Sequence, residues 1–428
     1  MAQFTTEVFQ NEFLADGATD VHAIVRVTAT GAGAGAAGAA TAHDSAEVIM
    51  IDTSGSMAGA SFAAAQQAAS IAVDVIDDGT WFAIVSGSHV ANRVFPYPNA
   101  PVAMVRMEPS ARAEAKRAIQ MMRATGGTAM STWLRLADQL FETLPAQVKR
   151  HGILLTDGKN ESEPPQQLQS TLTALQGRFV CDARGVGDRY QVAEVREIAS
   201  ALMGSDELIR DPSGIAASFE QMLGASKSRG IADADLQVWT PQGSQLLFVR
   251  QVSPSLNDLT NQRRTVNALT GAFPTGSWGD ESRDYHVGVR VASKPVGAEQ
   301  LAARVQMAIG GQVQASALVK AMWSQDSSLT ARISPEVAHY TGQTELATAI
   351  QEGLAAKAAG DEATATVKLG RAVQLAAQTG NDEATSRLRK VVDVENEEQG
   401  TVRLRRNTDK LDEMALDTGS TKTTRVRK

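Results

Sequence analysis

Residues 47–57 read EVIMIDTSGSM. The apolar run Val48, Ile49, Met50 and Ile51, bounded by polar residues, predicts a buried strand. Asp52, Ser54 and Ser56 follow at alternate positions on the loop at its carboxyl end. One carboxylate and two hydroxyls at that spacing can face a common point if the loop is tight, and Gly55 reads as the residue that lets it turn. Ligation by oxygen alone suits a hard cation, Mg²⁺ or Mn²⁺, better than Zn²⁺.

Two later stretches bear on the same point. RATGGTAMSTWL places Thr128 after a glycine pair and just before a helical pattern. HGILLTDGKNE places Asp157 at the carboxyl end of a second apolar strand. In order and in local context Asp52, Ser54, Ser56, Thr128 and Asp157 resemble the metal-ion-dependent adhesion site of the von Willebrand factor A (VWA) domain family, with all five positions of that pattern filled. The resemblance implies a doubly wound α/β fold, a bound Mg²⁺ or Mn²⁺, no catalysis, and capture of an Asp or Glu supplied by a partner protein. Bacterial relatives are similar in flanking the A domain with a β-sandwich, and the cytoplasmic ones imply an adaptor in a signalling or stress-response complex. Glu161 and Glu163 are read as a solvated rim beside the metal.

Length and composition set the frame. A chain of 428 residues has room for two to four domains, and 43% hydrophobic with 21% charged residues is ordinary for globular proteins. The net charge of −7 argues against general nucleic-acid binding. One cysteine, Cys181, excludes an internal disulfide framework, fits a reducing compartment and reads as a buried, inert thiol. The amino terminus does not look like a secretory signal, and no stretch has the apolar length to cross a bilayer. A cytoplasmic location is the resulting expectation.

Alternating strands and helices between 44 and 229 predict a doubly wound, mostly parallel sheet. Its first helix carries an expected buried stripe of Ala64, Ala68, Ile71, Val75 and Ile76. Residues 1–30 hold two strand-like runs that need partners, and 231–335 supply five more, so the two segments together predict a sequence-discontinuous β-sandwich into which the A domain is inserted. Between them 31–43 form an Ala/Gly linker, whose formal G-x-G-x-x-G at Gly33, Gly35 and Gly38 is rejected as a dinucleotide fingerprint because a strand, not a helix, follows.

Residues 336–398 switch to helical periodicity, with Leu346, Ile350 and Leu354 on one stripe and Val367, Leu369, Val373 and Ala376 on the next. From 399 to 428 the chain turns polar and is expected to be a disordered tail, with Thr418, Ser420, Thr421, Thr423 and Thr424 open to a Ser/Thr kinase and to a phosphopeptide-binding domain. Two alternatives to the adaptor remain at this stage. One is a scaffold regulated through that tail. The other is a metal-assisted phosphohydrolase, for which Lys159 is the obvious cation and His151, six strand residues before Asp157, lies roughly 20 Å away.

Overall fold

The computed structural model describes residues 2–33, 45–99, 101–231 and 234–426. The Ala/Gly stretch with Gly35 and Gly38, and the terminal Arg427 and Lys428, lie outside the described residues. Contacts divide the chain into two units, one made of 31–233 with 276–280, the other of 3–30, 234–275 and 281–428.

The chain opens on β1 (Gln3–Gln10), β2 (Phe13–Leu14) and β3 (Asp20–Thr30), which belong to the second unit. The first unit then alternates: β4 (Ser45–Asp52), α1 (Ala60–Val75), β5 (Trp81–Gly87), β6 (Ala91–Phe95), β7 (Val105–Arg106), α2 (Pro109–Met121), α3 (Met130–Glu142) and β8 (Lys149–Thr156). After β8 come α4 (Pro165–Leu175), β9 (Val180–Val186), α5 (Val192–Ala201), β10 (Met203–Ile209) and α6 (Ile215–Ser228). The sheet runs β10-β9-β8-β4-β5-β6, with β7 also on β5; β6 and β7 are antiparallel to it and the rest are parallel.

Seven consecutive residues of β4, Ala46 to Asp52, are buried, because a central parallel strand has helices over both faces. On one face Ile49, Ile51, Ile153 and Leu155 pack with Ala65, Ala68, Ala69, Ala72 and Val73 of α1 and with Phe219, Met222 and Leu223 of α6. The α1 stripe is thus rotated by about one position from the expected one: Ala68 and Ile76 are buried, whereas Ala64, Ile71 and Val75 are half-buried. In a helix that is mostly alanine, neighbouring faces differ too little in hydrophobicity for periodicity to choose between them.

In the second unit β11 (Asp235–Trp239), β12 (Gln245–Ser253), β13 (Asn257–Asp258), β14 (Arg264–Asn267), β15 (Thr270–Pro274), β16 (Glu281–Arg290), β17 (Glu299–Ile309) and β18 (Gln312–Trp323) join the first three strands. They form two sheets, β1-β3-β16-β12-β13 and β14-β15-β11-β17-β18-β2. Along β3 the residues Val21, Ala23, Val25, Val27 and Ala29 are all buried, and Ile24, on the other face, packs with Val252 and Tyr340. After α7 (Ser327–Thr330), which lies against β2, that second face receives α8 (Pro335–Ala358), with α9 (Glu362–Thr379) packed on α8 and α10 (Asp382–Val391) packed on α9.

The polar carboxyl terminus is not a disordered tail. β19 (Val392–Asn396) pairs antiparallel with β20 (Thr401–Leu404), and α11 (Lys410–Gly419) packs on α8 and α10. Val402 and Leu416 enter one core with Leu369, Val373 and Leu388. Thr418 and Ser420 are each 5% exposed. Thr421 accepts a backbone hydrogen bond from Leu256, Thr423 donates its hydroxyl to the Val252 carbonyl at 2.6 Å, and Thr424 accepts from Gln343 at 2.9 Å. A few apolar residues spaced to reach one existing groove sufficed to order a segment whose average composition is polar. Of the five residues expected to be open to a kinase, Thr418 and Ser420 are buried by this packing and Thr421, Thr423 and Thr424 are half-buried. Val367, expected on the buried stripe of α9, is instead 70% exposed. Among the described residues no helix is long and apolar enough to cross a membrane.

Candidate metal centre

β4 and β8 are parallel neighbours, so their carboxyl ends place Asp52 and Asp157 on the same rim of the sheet. Asp52 is fully buried. Its Oδ1 accepts from the Ser54 backbone at 2.7 Å and its Oδ2 accepts from the Thr156 hydroxyl at 2.6 Å, which fixes the carboxylate plane. Burial raises its pKa above the usual carboxylate range, opposed by these hydrogen bonds, while the nearby Asp157 charge raises it further. Ser54 Oγ lies 2.9 Å from Ser56 Oγ, and Ser56 Oγ donates to Asp157 Oδ1 at 2.7 Å.

Thr128 arrives from the loop before α3, and two devices seat that loop. Gly126 has φ +82°, and its carbonyl accepts from the Gly55 backbone at 2.8 Å; Thr128 exchanges hydrogen bonds with Ser162 through backbone and hydroxyl. The first N–H groups of α3 are then satisfied from the β8–α4 loop. Asn160 Oδ1 accepts from Met130 at 2.8 Å, and the Glu163 carboxylate accepts from both the backbone and the hydroxyl of Ser131. Glu163 is therefore a buried cap rather than a solvated rim residue, and Glu161 alone of that pair is exposed. Gly55 is corrected too: it sits in a 3₁₀ turn, Gly55–Met57, without a positive φ, and the left-handed residue of that loop is Gly59 at φ +99°.

The structure brings all five sequence-chosen oxygens around one small space. A Cβ built on Gly158 would lie 3.2 Å from both Ser56 Oγ and Thr128 Oγ1 and 3.6 Å from Asp52 Oδ2. Only a glycine leaves that volume open. Two carboxylates with three hydroxyls form a hard, oxygen-only set that fits a small divalent ion. Among the described residues no group of three or more His, Cys, Asp or Glu side chains is placed to hold a metal ion, so a centre here rests on hydroxyls as well as carboxylates.

One residue at the centre escaped the sequence reading. Arg189, on the turn after β9, donates to Asp157 Oδ2 at 2.5 Å and to the Ser56 carbonyl at 2.7 Å, with its side chain 56% exposed. Its only signal was position, a basic residue on the carboxyl-end loop of the strand beside β8. Lys159 is exposed, and His89 is exposed with its ring against Gly126. His151 is held at the far end of β8, between Glu47 at 2.5 Å and Asp182 at 3.0 Å.

Comparison with known proteins agrees with this architecture. Residues 48–207 match the model of the von Willebrand factor type A domain, and residues 374–420 match that of the von Willebrand factor type A C-terminal domain. A von Willebrand factor type A protein from Catenulispora acidiphila is 43% identical, covers 99% of this chain and 98% of its own, and superposes with a TM-score of 0.92. The chain belongs to the VWA family. The ArnB paralog VWA2 from Sulfolobus acidocaldarius, 16% identical over 99% of this chain and all of its own, shares the fold of this VWA protein with a TM-score of 0.58. A curated, uncharacterized protein from a Synechocystis strain is 26% identical over 220 residues, and the VWA chain spans about half the length of that relative. The second family match falls on the segment read from sequence as a helical appendage and a loose tail.

Proposed function

We propose that this VWA protein is a metal-dependent protein-binding module, in which Asp52, Ser54, Ser56, Thr128 and Asp157 hold a Mg²⁺ or Mn²⁺ ion whose remaining coordination position takes an Asp or Glu of a partner protein. The single observation that carries the reading is the space beside Gly158, ringed by Ser56 Oγ, Thr128 Oγ1 and Asp52 Oδ2. Three of the five donors are neutral hydroxyls and Mg²⁺ takes six oxygens, so one coordination place is left for a ligand from outside. On a protein with a net charge of −7, the ion would draw an acidic side chain that the surface as a whole repels. Arg189 and Lys159 on the rim favour the same ligand.

A hydrolytic role would need a base beside the hydroxyls. The histidine on β8 instead serves a buried ion cluster at the other end of that strand.

Capture from a lysate of the protein's own host, on resin carrying the full chain with Mg²⁺ or with EDTA, tests the proposal. A partner retained equally in both would end it. Two variants refine the metal part. Arg189→Ala removes a cation that shares Asp157 with the incoming ion, and Mg²⁺ affinity should rise about five- to tenfold by titration calorimetry. Gly158→Ala places a methyl group in the ringed space, and the same titration should show affinity falling by about tenfold or more.

A further inference from the structure

The second unit contains a cavity of about 410 Å³ between the β1-β3-β16-β12-β13 sheet and the helices α8 and α9. Strand register explains its floor. His22, Gly288 and Phe248 stand directly opposite one another on β3, β16 and β12, and one row on stand Ile24, His286 and Arg250. Gly288 contributes no side chain, and a Cβ there would fall 2.6 Å from Phe248 Cε1, so the Phe248 ring lies over the glycine. The result is a ring-lined floor: Phe248 and His286 are edge-to-face at 4.9 Å, His22 is 5.4 Å from His286, and the Arg250 guanidinium sits 4.5 Å over Phe248.

The wall is unusual for a helix packed on a sheet. At the Tyr340 end, α8 packs on this face through apolar residues. Past it, Thr341, Thr344, Glu345, Thr348 and Glu352 line the cavity at helical spacing. A stripe of threonines and glutamates facing aromatic rings across a gap is not core packing. Thr344 and Thr348 donate their hydroxyls to the carbonyls four residues back, so each presents lone pairs only. From α9 come Lys368 and Arg371, paired with Glu352 and Glu345. Arg250 uses Nε on Asp258, which leaves its terminal amino groups as donors. Burial holds His286 down at about 3 and lowers His22, so both rings are neutral at pH 7. Each of the three cations is ion-paired, Arg250 with Asp258, Lys368 with Glu352 and Arg371 with Glu345, so the charges around the lining balance and the terminal amino groups of Arg250 are the donors turned to the ring-lined floor.

We propose that this cavity is a binding site for a small planar aromatic anion, stacked on Phe248 and the two imidazoles with its acidic group on Arg250. The size lies within the range of small-molecule sites, and aromatic walls with a few convergent donors select flat, singly charged ligands. The site lies wholly in the second unit and is independent of the metal reading.

The test is titration calorimetry of the full chain with 1-naphthoate, with uncharged 1-naphthalenemethanol and with acetate. One-to-one naphthoate binding at about 1 mM or tighter is expected, with both other probes at least tenfold weaker. Thr348→Phe, an exposed helix position that fills the cavity, should weaken naphthoate at least tenfold at an unchanged melting temperature. Arg250→Gln should bring naphthoate down to the affinity of the alcohol. No binding of naphthoate, equal binding of naphthoate and alcohol, or naphthoate binding untouched by Thr348→Phe would each overturn the proposal.

Discussion

Asp52→Ala should abolish magnesium binding, lowering affinity by about a hundredfold or more in a calorimetric titration of the full chain, and should make partner capture insensitive to EDTA. The size follows from the position of the carboxylate. It is fully buried, oriented by the Ser54 backbone and the Thr156 hydroxyl, and is one of only two charged groups among the five oxygens. Removing it deletes half of the negative charge facing the ion, where desolvation has made that charge strong. Burial raises the Asp52 pKa, opposed by the hydrogen bonds from Ser54 and Thr156, whose donors the variant leaves without this acceptor. Without metal the variant should still unfold cooperatively, and with Mg²⁺ it should lack the upward shift in melting temperature expected of the parent. Retained metal binding in Asp52→Ala would sink the assignment of the centre.

The second large effect concerns the opposite end of the same strands. His151 lies buried between Glu47 on β4 and Asp182 on β9, with Ser226 donating to Glu47 at 2.7 Å and Ser205 donating to Asp182 through backbone and hydroxyl. Arg184 stands beside Asp182, and Lys149 donates to the carbonyls of Ser226 and Arg229. Burial alone would lower the imidazolium pKa, but the two carboxylates outweigh it and hold His151 up at about 9. A folded value above the unfolded one, about 6.5, means that the contribution to stability is complete below that pH and is lost as pH rises through about 9. The melting temperature of the first unit should therefore decline between pH 6.5 and 9.5. His151→Ala strands two buried carboxylates, a loss of about 3–5 kcal/mol, or about 10 °C in calorimetry at pH 6.5. The variant should also lose the decline with pH. A slope of unchanged steepness would exclude His151 as its source.

This cluster joins β4, β8, β9 and α6 at the end of the sheet away from the metal loops. The division of labour has a physical basis. Carboxyl-end loops carry the candidate site, and oxygens that are to take an ion have to stay open, so rigidity has to come from elsewhere. A satisfied buried ion network and the capped start of α3 supply it.

Much of the centre was legible in the chain because its signals are local. An apolar strand followed by DTSGS, a glycine pair before Thr128, and a second strand ending at Asp157 each declare their conformation within about ten residues, and strand ends in a doubly wound sheet gather on one rim. Arg189 and Glu163 were not legible in that way. Each acts on a partner about thirty residues distant, Asp157 for the one and Ser131 for the other, and nothing near either residue marks the pairing. The strand Met203–Ile209 is not legible in the sequence for a related reason: MGSDELI is polar, and it is a strand because it lies at the edge beside β9.

By itself, then, the order of residues determined the α/β alternation, the two flanking sets of strands and the five oxygens at the strand ends, since periodicity and turn chemistry are properties of short segments. Tertiary structure alone decided the rest. The polar residues 399–426 fold because Val402, Leu416 and their neighbours find a groove already built by α9 and α10. Arg26, Asp284 and Tyr340 close into one buried hydrogen-bonded group, and the ring-lined cavity opens beside it, because strand register and a helix crossing bring together residues from four distant parts of the chain. Burial and charge pairing depend on what arrives from elsewhere in the fold, and that information is not held in any single stretch.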